Sequence, residues 1–156
     1  MVEVLFVCLG NICRSPMAEA VARSYIQSEG LSDQVKVDSA GTGDWHIGHP
    51  PHEGTRKVLD LNKISYKGMK ARQFNGSDFN AFRYIVCMDR KNLRDVLERK
   101  QGETNSEVVT FMQFVPDSAA EDVPDPYYTG NFDEVYQLVQ EGCRNLIHWI
   151  REKEGI

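Results

Sequence analysis

Val4-Leu5-Phe6-Val7-Cys8-Leu9-Gly10-Asn11-Ile12-Cys13-Arg14-Ser15 runs from a buried strand directly into reactive chemistry. Val4 to Val7 form a short continuous apolar run, the pattern of a strand covered on both faces of a sheet. Cys8 stands where that strand ends. Gly10 and Asn11 are the residue types that most readily adopt positive φ, so the chain is expected to curl there and turn successive backbone N–H groups toward one point, forming an anion nest. Ser15 followed by Pro16 reads as an N-cap and a first helical position. Met17, Val21 and Tyr25 then recur at helical spacing, so the loop opens onto a helix N-terminus and its partial positive charge.

Arg14 adds a permanent cation whose planar fork matches two oxygens of a tetrahedral oxyanion such as phosphate, sulfate or arsenate. A cation and a helix N-terminus beside a cysteine favour the thiolate, its nucleophilic form. The alternative is that Cys8 merely fills a strand end and Arg14 is an ordinary surface cation. Against it stands the order of strand, nucleophile, Gly-Asn curl, arginine, serine and proline, which is the order that the chemistry needs.

The composition narrows the remaining possibilities. A length of 156 residues is expected to make one domain spanning 1–156 with a substantial core. An apolar fraction of 41% and a charged fraction of 26% are ordinary for a globular chain, and neither a repeat nor a low-complexity tract is visible. The net charge of −5, without a run of Lys and Arg, argues against nucleic acid, whose phosphates demand a basic face. The N-terminal apolar run is short, without a basic leader or cleavage pattern, and no stretch is long enough to span a membrane, so a cytoplasmic protein is expected. Cys8, Cys13, Cys87 and Cys143 are too sparse for a disulfide scaffold, and reduced thiols are expected. Cys8 and Cys13 lack a second ligand pair, and His46, His49 and His52 stand in a Gly/Pro-rich loop. Neither a metal nor another cofactor is expected.

Further along, Val35–Ser39 reads as a second strand, followed by the long loop Ala40–Gly48, in which Trp45 either plugs the core or walls a site for a ring-bearing ligand. Pro50-Pro51 precedes a helix that runs to about Leu61. Tyr84–Met88 is a third strand, with Asp89 as the N-cap of a helix carrying Leu93, Val96 and Leu97, which leaves Cys87 buried and inert. Val108–Phe111 is a fourth. Four short apolar strands separated by helices predict an α/β three-layer sandwich, with a central four-stranded parallel sheet flanked by helices and a phosphate-binding loop after strand 1. Ligands of such sheets bind at the carboxyl ends of the strands, where Cys8 and Ser39 both lie. Asp125 sits between Pro124 and Pro126 on what reads as a stiff exposed loop, either as an acid or as the start of a proline turn. Asn131 with Glu134 opens a last helix, on which Phe132, Val135, Val139, Cys143, Leu146 and Ile150 form the apolar face.

Cys8-Leu9-Gly10-Asn11-Ile12-Cys13-Arg14-Ser15 resembles the signature loop of the low-molecular-weight protein tyrosine phosphatases. The resemblance continues through Asp38-Ser39-Ala40-Gly41-Thr42, Trp45, Pro50-Pro51, Ala71-Arg72-Gln73, Cys87-Met88-Asp89 and Asp125-Pro126-Tyr127-Tyr128, and so covers nearly the whole chain. It implies hydrolysis of phosphotyrosine in proteins through a cysteinyl-phosphate. Cys8 is then the nucleophile, Arg14 the phosphate clamp and Asp125 the general acid and base. Leu9 to Cys13 form the phosphate-binding loop, and Ser15 hydrogen-bonds the Cys8 thiolate when it leaves. Ser39 and Asn11 hold the loop, with a plain strand-end cap as the alternative for Ser39. Trp45, Tyr127 and Tyr128 wall a pocket deep enough to admit phosphotyrosine but not the shorter phosphoserine. The expected partners are phosphotyrosine proteins and an active-site phosphate or other oxyanion, with the protein a monomer.

Met69 stands where many relatives place a loop-steadying histidine, so that support is expected to be missing. Cys13 either traps an oxidised Cys8 or is simply small enough to fit beneath the loop. Three rivals share the resemblance. A protein-arginine phosphatase resembles a family variant with Thr at the position of Ile12. A thiol-dependent arsenate reductase would need a close pair of further cysteines, which Cys87 and Cys143 do not form in the sequence. A catalytically silent phosphotyrosine-binding module would not need Cys8, Arg14 and Asp125 together.

Overall fold

The computed structural model describes residues 1–156. Four strands, β1 (Val2–Cys8), β2 (Val35–Gly41), β3 (Tyr84–Cys87) and β4 (Glu107–Thr110), pair in parallel in the order β2-β1-β3-β4. The helices are α1 (Arg14–Ser28), α2 (Glu53–Leu61), α3 (Asp78–Ala81), α4 (Arg90–Glu98), α5 (Pro126–Thr129) and α6 (Phe132–Glu154), with a 3₁₀ turn at Phe111–Phe114.

Because side chains alternate along a strand, β1 feeds two cores. Val4, Phe6 and Cys8 join Met17 and Val21 of α1 and Val135, Val139, Leu146 and Ile150 of α6. Leu5 and Val7 join Phe74, Phe79, Ile85 and Val96 on the opposite face. Burial on both faces explains why β1 is continuously apolar rather than alternating, each large side chain contributing about 1.5–3 kcal/mol on removal from water. The three-layer parallel sandwich read from the sequence is the observed architecture. No helix is long and apolar enough to cross a membrane.

Several boundaries differ from the reading of the sequence. β1 begins at Val2, because the register pairs Val2 with Val35 and the Val2 N–H donates to Gln34 O (2.8 Å). β2 continues to Gly41, and the fourth strand stops at Thr110, where Phe111 opens the 3₁₀ turn. Helix α3 has no counterpart in the reading of the sequence. The segment after Asp125, read as loop, is the short helix α5, with Asp125 as its N-cap and Gly130 at φ 74° ending it. A proline cannot continue a helix, but its missing N–H costs nothing at the first helical position.

Asp89 caps α4 through a reciprocal box with Asn92 (2.7 and 3.2 Å). Asn131 caps α6 by accepting from the Glu134 N–H (3.1 Å). The register sets Cys8 beside Gly41, and β3 ends one residue behind, with Cys87 opposite Val7. The carboxyl ends of β1, β2 and β3 therefore form one edge, and the loop after β1 lies across it.

Candidate active site

Only Asn11 in this loop takes positive φ, at 57°. Gly10 does not, contrary to the expectation that both residues bend the chain. Gly10 serves instead as a spacer, since a Cβ there would stand 3.0 Å from His46 Cδ2. Gly41 is more restrictive, because a Cβ would lie 2.8 Å from Leu9 O and 3.0 Å from the Asn11 nitrogen, so the loop can cross the end of β2 only over a glycine. A left-handed Asn needs external support, and Asn11 receives it from both ends of its amide. Its Nδ2 donates to Ser15 Oγ (2.8 Å) and Ser39 Oγ (2.9 Å), and its Oδ1 accepts from the Arg72 N–H (3.0 Å).

Helix α1 starts at Arg14, with Cys13 rather than Ser15 at the N-cap position. Ser15 caps nothing because its hydroxyl faces inward, 3.0 Å from Cys8 Sγ. Arg14 is buried, and its fork is divided. Nη1 donates to Asp89 Oδ2 (2.7 Å) and Val123 O (3.0 Å), and Nη2 reaches Asp125 Oδ2 at 3.4 Å. Nε is buried without a partner in the protein, which leaves an N–H for an incoming oxyanion. Burial works against the Arg14 charge, but Cys8, Asp89 and Asp125 outweigh it and hold its pKa above the ordinary value. Asp125 commits Oδ1 to the Tyr127 N–H (3.1 Å) as the cap of α5. Its Oδ2 remains on the Arg14 side.

These groups line one cleft of about 340 Å³. Cys8, Leu9, Gly10, Ile12, Cys13, Arg14 and Asp125 form one part, and Trp45, His46, Tyr127 and Tyr128 form the rest. Trp45 is 65% exposed, so it does not plug the core. The rings touch in sequence, with His46 6.2 Å from Tyr127 and Tyr127 5.3 Å from Tyr128, centroid to centroid. Cys8 thus meets a buried guanidinium, a carboxyl and a ring of aromatic side chains, the arrangement expected of a phosphotyrosine site.

Residues 3–155 match the family model for low molecular weight phosphotyrosine protein phosphatases. The chain belongs to this family. It is 49% identical to the low molecular weight protein-tyrosine-phosphatase YfkJ of Bacillus subtilis over the full length of both. The crystal structure of YfkJ superposes with a TM-score of 0.94, covering 98% of this chain and 96% of that one. PtpA of Staphylococcus epidermidis is 46% identical over 96% of this chain and 94% of its own. A Drosophila arginine phosphatase, 28% identical, superposes with a TM-score of 0.89 over 96% of this chain and 98% of that one.

In this low molecular weight phosphatase, Met69 does not leave the loop unsupported. Ser39 Oγ donates to Glu19 Oε1 (2.6 Å), and Glu19 in turn is paired with Arg23, whose Nη1 lies 3.9 Å from Met69 Sδ. Cys13 is buried in the lining of the cleft, its carbonyl accepting from Thr55 Oγ1 (3.1 Å). Burial, with Cys8 and Asp125 nearby, pushes its thiol up to about 12. Burial also raises the Cys87 and Cys143 thiols.

The three histidines have separate roles. His46 Nδ1 and His49 Nδ1 are 3.4 Å apart, and His52 stacks on Phe132 and accepts from the Gly54 N–H. No three His, Cys, Asp or Glu side chains gather as a metal cage.

Asp89, Glu19, Arg72, Gly41 and His46 belong to the site although the sequence does not assign them to it. Asp89 reads there as a cap, which it also is. His46 carries a signal, a histidine in a long Gly-rich loop beside Trp45, but from the sequence it is weighed only as a metal ligand.

Proposed function

We propose that the chain acts as one domain, 1–156, that hydrolyses phosphotyrosine in proteins. The observation that carries this reading is the convergence of Cys8, Arg14 and Asp125 in a single aromatic-walled cleft. Cys8 attacks phosphorus as a thiolate while the Cys8–Ser15 contact (3.0 Å) supplies a hydrogen bond to the sulfur. The phosphorus–oxygen bond to tyrosine breaks, leaving a cysteinyl-phosphate. Asp125 Oδ2 gives its proton to the departing phenolate and then takes one from the water that releases phosphate. Ser15 assists again when sulfur leaves.

Phosphate-monoester hydrolysis needs up to about 10²¹-fold acceleration, more than a nucleophile supplies. The loop N–H groups and the free edge of Arg14 therefore bear on the equatorial oxygens of the transferring phosphoryl group. Nucleophile, cation and acid are all side chains, so the mechanism requires no metal or other cofactor. Trp45, His46, Tyr127 and Tyr128 hold the substrate ring, and a short phosphoserine would not bring phosphorus to Cys8. A monomer in the reducing cytoplasm, where the Cys8 thiol survives, fits this chemistry.

Ile12 on the cleft wall favours phosphotyrosine over phosphoarginine. The experiment is steady-state release of phosphate from phosphotyrosine, phosphoarginine and phosphoserine peptides by the wild type and Cys8→Ser. Turnover of phosphotyrosine alone, abolished in Cys8→Ser, is the expected result. Equal turnover of phosphoarginine would make this an arginine phosphatase, and binding without turnover would make it a binding module.

A further inference from the structure

Glu19 lies on α1, 5% exposed, outside the lining of the cleft. A carboxylate in such a place must be paired and hydrogen-bonded. Here it accepts from Ser39 Oγ (2.6 Å) and is bound by Arg23, which also donates to Val37 O (3.2 Å).

As far as Ser15, donors and acceptors along this chain of hydrogen bonds can be matched in only one way. A carboxylate only accepts, so the single proton of Ser39 is committed to Glu19. Ser39 Oγ can then only accept from Asn11, and the nitrogen end of the Asn11 amide must face it. The second hydrogen of that nitrogen goes to Ser15 Oγ, which is thereby also an acceptor. The remaining proton of Ser15 is left for Cys8 Sγ at 3.0 Å, with Ala40 O more distant at 3.4 Å.

Were Glu19 absent, Ser39 would have a free proton. The Asn11 amide could then turn over and accept from both serines, and Ser15 would point its proton away from sulfur. The Arg72 N–H on Asn11 Oδ1 opposes that flip, and Glu19 is a second, independent lock on the same amide.

We propose that the Glu19–Arg23 pair, through Ser39, is a positioning device that fixes the direction of the hydrogen bonds around Asn11, so that Ser15 donates to Cys8. It takes the place of the support that Met69 cannot give. The proposal rests on Cys8 being the nucleophile.

The test uses two variants. Ser39→Ala cuts the link and leaves the pair in place. The double variant Glu19→Met with Arg23→Met removes the pair with no change in net charge. Iodoacetamide labelling of Cys8 is followed by mass spectrometry at pH 6 and at pH 9, beside kcat and KM for an aryl phosphate. Labelling at pH 6 is expected to slow by about tenfold in both variants, the scale of one lost hydrogen bond to a charged group. At pH 9, above the ordinary range of a free thiol, it should stay within about twofold of the wild type. The kcat value falls while KM holds, and Arg23→Lys restores the wild-type ratio of the two labelling rates.

A merely structural role would lower the unfolding temperature and leave that ratio unchanged. An unchanged ratio in Ser39→Ala overturns the proposal even if the double variant does not fold. The two readings fail separately, since a wild type without Cys8-dependent turnover defeats the phosphatase reading, whereas full turnover with an unchanged ratio defeats only this one.

Discussion

The two ends of the cleft are built on different physics. Behind the loop, Asn11, Ser15, Ser39 and Glu19 are all 5% exposed or less and held by side-chain hydrogen bonds of 2.6–2.9 Å. At the mouth, Trp45, Tyr127 and Tyr128 are more than half exposed, and Tyr127 meets Tyr128 and His46 with ring centroids 5.3 and 6.2 Å apart. Directional bonds in a low-dielectric interior hold atoms to a fraction of an ångström, as transition-state stabilisation demands. Ring contacts are worth only about 0.5–1.5 kcal/mol beyond area burial and tolerate sliding. The proposed mechanism assigns the rate of chemistry to the rear of the cleft and the choice of phosphorylated side chain to the mouth.

Asp125 stands at the seam, capping the aromatic helix α5 while touching Arg14, and it gives the largest test of the division. Asp125→Asn should reduce turnover of substrates with phenolate-like leaving groups by about 10²- to 10⁴-fold. The fall should shrink with leaving groups that need no proton. A leaving-group series that shows equal losses throughout would move the acid elsewhere and leave Asp125 a cap.

Arg14→Lys comes next, with an expected loss of about 10²- to 10³-fold in kcat, the scale of one transition-state donor. An ammonium cannot hold Asp89 with one edge and a phosphoryl oxygen with the other. Near-normal kcat would mean that charge alone, and not the divided fork, matters at the rear.

A smaller effect is expected within the loop, between its two thiols. With its pKa raised to about 12, Cys13 stays a neutral thiol from pH 6 to pH 9, and its thiolate appears only as the pH approaches that value. Electrophiles at neutral pH should therefore modify Cys8 and spare Cys13. After peroxide and then a thiol reductant, wild type should recover several-fold more activity than Cys13→Ser, because a neighbouring thiol can trap the sulfenic acid of Cys8. Phosphate should slow inactivation of both. Equal recovery would leave Cys13 a small residue beneath the loop.

The smallest change is expected at the mouth. Trp45→Ala or Tyr128→Ala should reduce kcat/KM for a phosphotyrosine peptide by roughly two- to tenfold. The unfolding temperature should hold, since neither ring is in the core, and turnover of a small aryl phosphate should fall less. A loss as large as that of Arg14→Lys would erase the distinction between rear and mouth.

Much of this arrangement is local, and local features were legible. The apolar run of β1, the cysteine at its end, the arginine at the start of α1 and the caps of α4 and α6 each depend on residues within a few positions of one another. Hydrophobic period and turn chemistry act over that range. Even so, the local reading of Ser15 as a cap failed, because a hydroxyl goes to its best acceptor in three dimensions and that acceptor is Cys8.

What only the tertiary structure decided is the set of groups that support the chemistry from afar. Asp89 reaches Arg14 across 75 positions of the chain, Arg72 reaches Asn11 across 61 and Ser39 reaches Asn11 across 28. Gly41 is required only because the loop crosses β2, and His46 enters the cleft only because its loop folds back toward α5. These meetings follow from the strand order β2-β1-β3, which brings the ends of three distant strands to one edge. A residue's own sequence neighbours carry no record of which strand will lie beside it, so the sequence by itself singled out Cys8 and Arg14, the family resemblance singled out Asp125, and the sheet chose what holds them.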